Sequence, residues 1–313
     1  MADRALAIRT ITRVQFRPRL AWLLPLALFI TLPQSPSPAN ADESQGALRL
    51  TPERVRQGGI VVLNLAWPVP FRNVRLQVGD REVHAPSPDT QIRMAMLVGI
   101  DLAQAPGDVL VRASALDKDK RPLTAQQTFR VLDAHFPVQR LTVPRAFVEL
   151  DPATLERVNR EKAVLDHLWE TVTPERLWRG SFRLPLDGAA SAAGFGERRI
   201  INGEPRAPHS GTDISAPPGT PVSAANAGTV ALVAEHFFAG TSIILDHGFG
   251  LYTMYFHLQE SLVQAGQRVN RDQLIGRVGS SGRATGPHLH WGARLYGARI
   301  DPRELLKPLL IEE

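Results

Sequence analysis

Short apolar runs, each cut off by a turn signal, recur along most of this chain and restrict it to short strands. Between residues 46 and about 133 they read GIVVLNLAW, NVRLQVGDREV, QIRMAMLVGI, GDVLVRASA and QQTFRVLD. β-branched residues and alternation (Val74, Leu76, Val78) suit a half-buried pleat, and Gly79-Asp80, Pro86 to Pro88 and Ala105 to Asp108 supply the turns. About seven short strands in roughly 90 residues predict an antiparallel sandwich of immunoglobulin-like type over residues 42–136. His84 stands alone there and is read as solvated or structural.

One stretch reads differently. Asp151 is a good N-cap, Pro152 suits the first helical position, and Leu150 and Leu155 occupy the two places of a hydrophobic staple. Leu155, Val158, Leu165 and Leu168 follow at helical spacing. The spacing predicts one helix, carrying a bland His167, in a linker over 137–180 that joins the two domains or packs between them. From residue 181 to 308 the texture returns to strands: TPVSAANAGTVALVAE, TSIILDHG, LYTMYFHLQ, QLIGRVGS and HLHWGARLY. The fold expected is therefore all-β with one linking helix.

The formal net charge of +5 could suggest a nucleic-acid partner. However, Arg4, Arg9, Arg13, Arg17 and Arg19 cluster at the N-terminus, where Asp3 is the only acid. Without residues 1–41 the chain has 31 basic against 30 acidic residues, which is no polyanion-binding signature. The Arg-rich stretch leads into LAWLLPLALFITL, about 13 residues and short for a spanning helix, which needs about 20. Ala39-Asn40-Ala41 fits a small-residue cleavage site. Residues 1–41 read as a secretory signal peptide cut after Ala41, with an uncleaved membrane anchor as the alternative. Either way the body lies outside the cytoplasm. With no cysteine in the chain, neither a disulfide nor a lipidated thiol is available, so stability must come from packing.

Three pieces carry chemistry: His209 to Asp213 in HSGTD, His257 in YFHL, and His288-Leu289-His290. In a strand, residues two apart share a face, so His288 and His290 project together while Leu289 faces the core. The alternative, a solvent-facing pair, fits poorly with flanking Pro287 and Trp291. A histidine and a carboxylate four residues apart can converge on one ion if the chain turns at Gly211. Two imidazoles and a carboxylate are a standard catalytic zinc set. Either short motif alone is weak.

Together, HSGTDI, YFHL and GPHLHW resemble the M23 (LytM/lysostaphin-type) metallopeptidases, which cut peptide bonds in bacterial peptidoglycan. The resemblance covers about residues 180–305. It implies an antiparallel β-sheet peptidase domain over 181–308, zinc ligands His209, Asp213 and His290, and catalytic histidines His257 and His288. It further implies peptidoglycan cross-link peptides as substrate and the periplasm as location. Phe256 is bulkier than the residue often found there, and Trp291-Gly292 replaces an aromatic-acidic ending; both bear on substrate fit. Some members have lost ligands and activate cell-wall amidases or merely bind the wall. Here every position of the motif set is present, which favours an enzyme. The N-terminal domain covering the groove is a third arrangement. His247 is read as structural and His236 as surface. GSSG at 279–282 reads as a glycine turn approaching the groove. AGQRVNRDQLIGRVG is similar to biotinyl or lipoyl carrier hairpins but has no lysine to carry a cofactor.

Overall fold

The computed structural model describes residues 46–84, 91–187 and 194–309. The expected signal peptide and the turn at Pro86 to Pro88 lie outside them. The first seven strands are β1 (Ala47–Thr51), β2 (Arg54–Arg56), β3 (Ile60–Val78), β4 (Arg81–His84), β5 (Gln91–Gly99), β6 (Gly107–Asp117) and β7 (Pro122–Leu132). They form one hydrogen-bonded sheet in the order β1-β3-β6-β7-β2, with β4 and β5 also paired to β3. The two runs GIVVLNLAW and NVRLQVGDREV are not separate, because most of both is the single strand β3. It pairs with β5 from Ile60 to Ala66, then shifts register and pairs with β6 from Phe71 onward. Pro68 and Pro70 sit in that changeover, where a missing N–H interrupts no continuous ladder. Alternate residues such as Leu63, Leu65, Leu76, Val111 and Val131 are fully or almost fully buried, so one face of each strand supplies the core.

The stretch read as a linker also contains a strand. β8 (Val138–Leu141) runs parallel to β9 (Arg198–Ile201), which turns back into β10 (Glu204–Pro205). Between β8 and β9 lies the helix α1 (Pro152–Glu170). The Asp151 carboxylate accepts from the Ala153 and Thr154 amides at 2.9 and 3.0 Å, as its N-cap position predicts. The helix does not pack between the two sheets. Leu155 and Val164 are 49% and 53% exposed, whereas Leu165, Leu168 and Trp169 pack on Ile244, Tyr252 and Met254.

The second large sheet comprises β11 (Gly211–Ser215), β12 (Pro221–Ser223), β13 (Gly228–His236), β14 (Gly240–Asp246), β15 (Leu251–Ser261), β16 (Arg268–Val269), β17 (Leu274–Val278), β18 (His288–Leu295) and β19 (Ala298–Ile300). Its main order is β11-β18-β15-β14-β13-β16, with every pair antiparallel. Pleating divides its residues: Ile243, Leu245, Leu251 and Tyr255 enter the main core, while Ile244, Tyr252 and Met254 meet α1 on the opposite face. Ile60 and Leu97 of the first sheet belong to that same main core. At its edge, the Arg299 guanidinium donates from Nε and Nη2 to Asp101 at 3.0 and 2.6 Å, a two-pronged pair. Arg81 Nη1 donates to the Tyr296 carbonyl at 3.1 Å. These contacts meet β18 and β19 at the end away from His288 and His290.

His247 is fully buried, its Nδ1 donating to the Ala227 carbonyl at 2.7 Å and its Nε2 lying 2.7 Å from Thr253 Oγ1. This is the structural role expected of it. Burial pushes its pKa down from 6.5 to about 4, the Ala227 bond opposing only part of the shift. Between those values the unfolded chain binds a proton that the folded chain refuses, so stability falls as pH drops through that window. The shift corresponds to roughly 3 kcal/mol. In thermal denaturation at stepped pH, His247→Asn should start less stable at pH 7.5 and show a shallower loss from pH 6.5 to 4 than the parent chain.

Candidate metal centre

The register of two strands assembles the site. β11 pairs with β18 so that Asp213 lies opposite His290 and Ser215 opposite His288. Leu289 between the two histidines is fully buried, so both imidazoles stand on the other face, as alternation requires. His209 lies two residues before β11. Its backbone is pinned to the loop at 194–197, accepting from the Gly196 amide at 2.8 Å and donating to the Glu197 carbonyl at 2.9 Å.

Three atoms converge. His209 Nε2 is 3.1 Å and His290 Nδ1 3.0 Å from Asp213 Oδ1, and the two ring nitrogens are 2.8 Å apart. The other nitrogen of His209, Nδ1, donates to the Gly194 carbonyl at 2.8 Å, which leaves the Nε2 lone pair facing the cluster. Burial alone would raise the Asp213 pKa, but the close contacts of its carboxylate with the His209 and His290 rings outweigh it and hold the carboxyl well below the usual carboxylate range. Burial pushes His290 down to about 4, against the pull of Asp213. At neutral pH the site therefore offers an ionised carboxylate beside a neutral imidazole. Ligand atoms of His209, Asp213 and His290 all lie within 4.8 Å of one another, so this group could hold a metal ion.

His257 and His288 stand beside that cluster. The ladder between β14 and β15 slips between Thr241 and Ile243, and His257 sits in the slip with φ of 62°. A bulge with a left-handed backbone re-aims a side chain that regular pleating would point elsewhere. His257 Nδ1 donates to the Ser281 carbonyl and His288 Nδ1 to the Gly286 carbonyl, both at 2.8 Å. The two rings are 4.7 Å apart. His288 Nε2 is 3.8 Å from Asp213 Oδ1, beyond hydrogen-bonding reach. Burial, more than any neighbour, pushes His257 down to about 4.

Phe256, singled out in the sequence for its bulk, lies flat against His290, with ring centroids 5.4 Å apart and 6° between planes. The sequence did not point to several other supporting groups. Arg199 Nη2 lies 3.6 Å from Asp213 Oδ2, the oxygen turned away from the cluster. The carbonyls of Gly194, Ser281 and Gly286 have no side-chain letter to reveal them; the glycine turns around them were the available signal. His236, expected at the surface, is buried with Nδ1 3.0 Å from Ser242 Oγ, because the pleat of β13 turns it inward. His84 and His167 are exposed and apart from the site.

A β-sheet face carrying two imidazoles and a carboxylate, with two further histidines alongside, defines a centre of the metallopeptidase class. Residues 207–302, which contain all five groups, match peptidase family M23, and the chain carries a domain of that family. It is 37% identical over 137 residues to peptidoglycan DD-endopeptidase ShyA of Vibrio cholerae, covering 43% of this chain and 32% of that one. It is 40% identical over 128 residues to ShyC of the same organism, covering 40% and 29%. The chain thus spans about a third of the length of these curated relatives. A solved M23 peptidase structure from Pseudomonas aeruginosa aligns with TM-score 0.59 at 28% identity, over 80% of this chain and 94% of that one. That likeness extends well outside the family match.

Gly211 leaves the space His290 occupies: a Cβ there would fall 2.5 Å from His290 Nε2. Gly211→Ala should displace that imidazole and weaken metal binding by about 10- to 100-fold. Metal titration beside a circular-dichroism check of the sheet would test this.

Proposed function

We propose that this chain is a zinc-dependent endopeptidase that hydrolyses peptide cross-links in peptidoglycan, exported to the periplasm. The convergence of His209, Asp213 and His290, with His257 and His288 alongside, carries the reading. The relatives named as peptidoglycan DD-endopeptidases support the substrate class. On this reading residues 1–41 are a signal peptide, 42–136 an immunoglobulin-like domain, 137–180 a connection and 181–308 the peptidase.

His209 Nε2, His290 Nδ1 and Asp213 Oδ1 would hold the ion. Zinc held by these three residues would supply a water of pKa about 7 and a Lewis acid for the scissile carbonyl. The chain's own residues handle the protons. His257 and His288 each commit Nδ1–H to a backbone carbonyl, so each neutral ring presents an unprotonated Nε2. One accepts a proton from the attacking water at that atom. The resulting cation donates to the developing oxyanion and then to the leaving nitrogen as the C–N bond breaks, giving a carboxylate and an amine. Phe256, stacked on His290, keeps bulk water from that side of the ligand.

The test separates ligands from proton carriers. His290→Ala should lose both bound zinc and digestion of purified sacculi. His288→Ala and His257→Ala should keep zinc and lose about 10²- to 10⁴-fold in cleavage rate. A parent chain that binds no zinc, or variants that digest sacculi as fast as the parent, would overturn the reading. A His290→Ala chain that still stimulates a wall amidase would favour an activator instead.

A further inference from the structure

Phe237, Phe238 and Ala239 close the hairpin between β13 and β14, and their backbone groups face two different parts of the molecule. The Phe237 amide donates to both carboxylate oxygens of Glu161 on α1, at 3.1 and 3.0 Å. The Phe238 carbonyl accepts from the Arg283 amide at 2.8 Å, and the Ala239 carbonyl accepts from the His257 amide at 2.9 Å. The helix thus holds one side of the turn, and the other side holds the bulge that carries His257. Gly240 tightens that second connection. Its φ is 62°, and a Cβ on it would fall 2.2 Å from Ser281 Oγ and 2.5 Å from the Ser281 carbonyl oxygen. The next amide, Thr241, donates to Ser281 Oγ at 2.9 Å, and that hydroxyl donates to the Leu258 carbonyl at 2.7 Å. The Ser281 carbonyl is the acceptor that fixes the Nδ1–H tautomer of His257. The turn therefore governs where the His257 backbone sits, through Ala239, and how its ring is aimed, through Ser281.

The helix end of this connection is itself braced. The Glu161 side chain is 18% exposed, and Arg157 Nε donates to its Oε1 at 2.7 Å across one turn of α1. Arg157 Nη2 donates to the Glu235 carbonyl at 3.0 Å, so the guanidinium ties the same hairpin a second time. A hydrogen bond to an ionised acceptor is about twice as strong as a neutral one. The amide that would otherwise let a short turn shift is therefore taken by a charged group on a separate element. A left-handed bulge such as the one at His257 persists when its surroundings over-determine it, and the turn is part of those surroundings. Glu161 lies outside residues 207–302, the span that matches family M23, so the brace comes from outside that span.

We propose that Glu161 is a positioning residue for His257: its carboxylate holds the 237–239 turn, and the turn holds the bulge and the Ser281 carbonyl that aim the His257 ring. This rests on the endopeptidase reading, in which His257 handles a proton, and adds to it a residue of α1. Arg157 supports Glu161 and the hairpin together.

The test uses the zinc-loaded full chain and a soluble cross-linked peptide. Glu161→Ala should lower kcat by about 10- to 100-fold, the scale of a misplacement of up to about 1 Å at the reacting atoms, while KM and bound zinc stay close to the parent's. Glu161→Gln can still accept from the Phe237 amide and should recover most of the loss. Imidazole nitrogen NMR should show His257 as the Nδ1–H tautomer in the parent chain and as a mixture in Glu161→Ala. Glu156, paired with Arg160 on the exposed side of the same helix, gives the control: Glu156→Ala should leave kcat and the tautomer as they are. An unchanged kcat or an unchanged tautomer in Glu161→Ala, or an equal fall of kcat in Glu156→Ala, would overturn the positioning role and leave the endopeptidase standing. If the parent chain cleaves nothing, the endopeptidase reading falls, and the tautomer comparison alone decides whether Glu161 sets the His257 ring.

Discussion

The antiparallel pairing of β11 with β18 is the constraint on which the centre depends. It sets Asp213 opposite His290, and the short β11 has little length with which to adjust. A slip of one residue would turn every side chain of β11 to the other face and remove the carboxylate from the cluster. What prevents the slip is apolar burial on the reverse face: Ile214, Leu289 and Trp291 are buried almost completely. Gly211 opposite Gly292 then leaves the groove side open where a Cβ would strike His290 or Met254. The chemistry of the front face is thus fixed by hydrophobic packing on the back.

A second layer of control comes from backbone carbonyls. Gly194, Ser281 and Gly286 each accept from the Nδ1 of a different histidine, at 2.8 Å in all three cases. Each bond chooses a tautomer and aims Nε2 into the site. His290 differs, since its Nδ1 itself faces Asp213 and the stacked Phe256 ring holds its plane. Four imidazoles therefore sit close together without mutual charge repulsion as long as they remain neutral, and burial favours neutrality for His257 and His290.

Features that depend on local sequence were legible. The Asp151 cap and Pro152 marked the start of α1, and alternation placed His288 and His290 on one face with Leu289 behind. The grouping of His209, Asp213 and His290 came from motif resemblance, which carries long-range information that spacing lacks. Features set by distant partners were not legible. The continuity of β3 through Pro68 and Pro70 depends on an exchange between β5 and β6 that no local signal encodes. Where α1 docks was not legible, because its apolar stripe is thin and Leu165, Leu168 and Trp169 are the positions that pack on the second sheet. His236 was placed outside because a lone histidine in a strand does not say which face is buried. Arg199 was passed over because its meaning comes from Asp213, which is close in space and not in the chain.

The first sheet acts as a buttress to this site. It meets the second sheet through Asp101 and Arg299 and through Ile60 and Leu97, near β19 and the Leu295 end of β18. Seven residues of strand, about 23 Å, separate that end from His288, so these contacts do not cover the histidines. The sheet also reaches the site from behind. Gly58, in the turn before β3, has no room for a Cβ because the Phe195 ring lies against it, and its carbonyl accepts from the Asp301 amide at 2.8 Å. Phe195 follows Gly194, whose carbonyl orients His209. The first sheet therefore supports one ligand strand at its far end and the loop behind another ligand. Loss of its packing would be felt at the metal centre although none of its residues reaches the groove ligands.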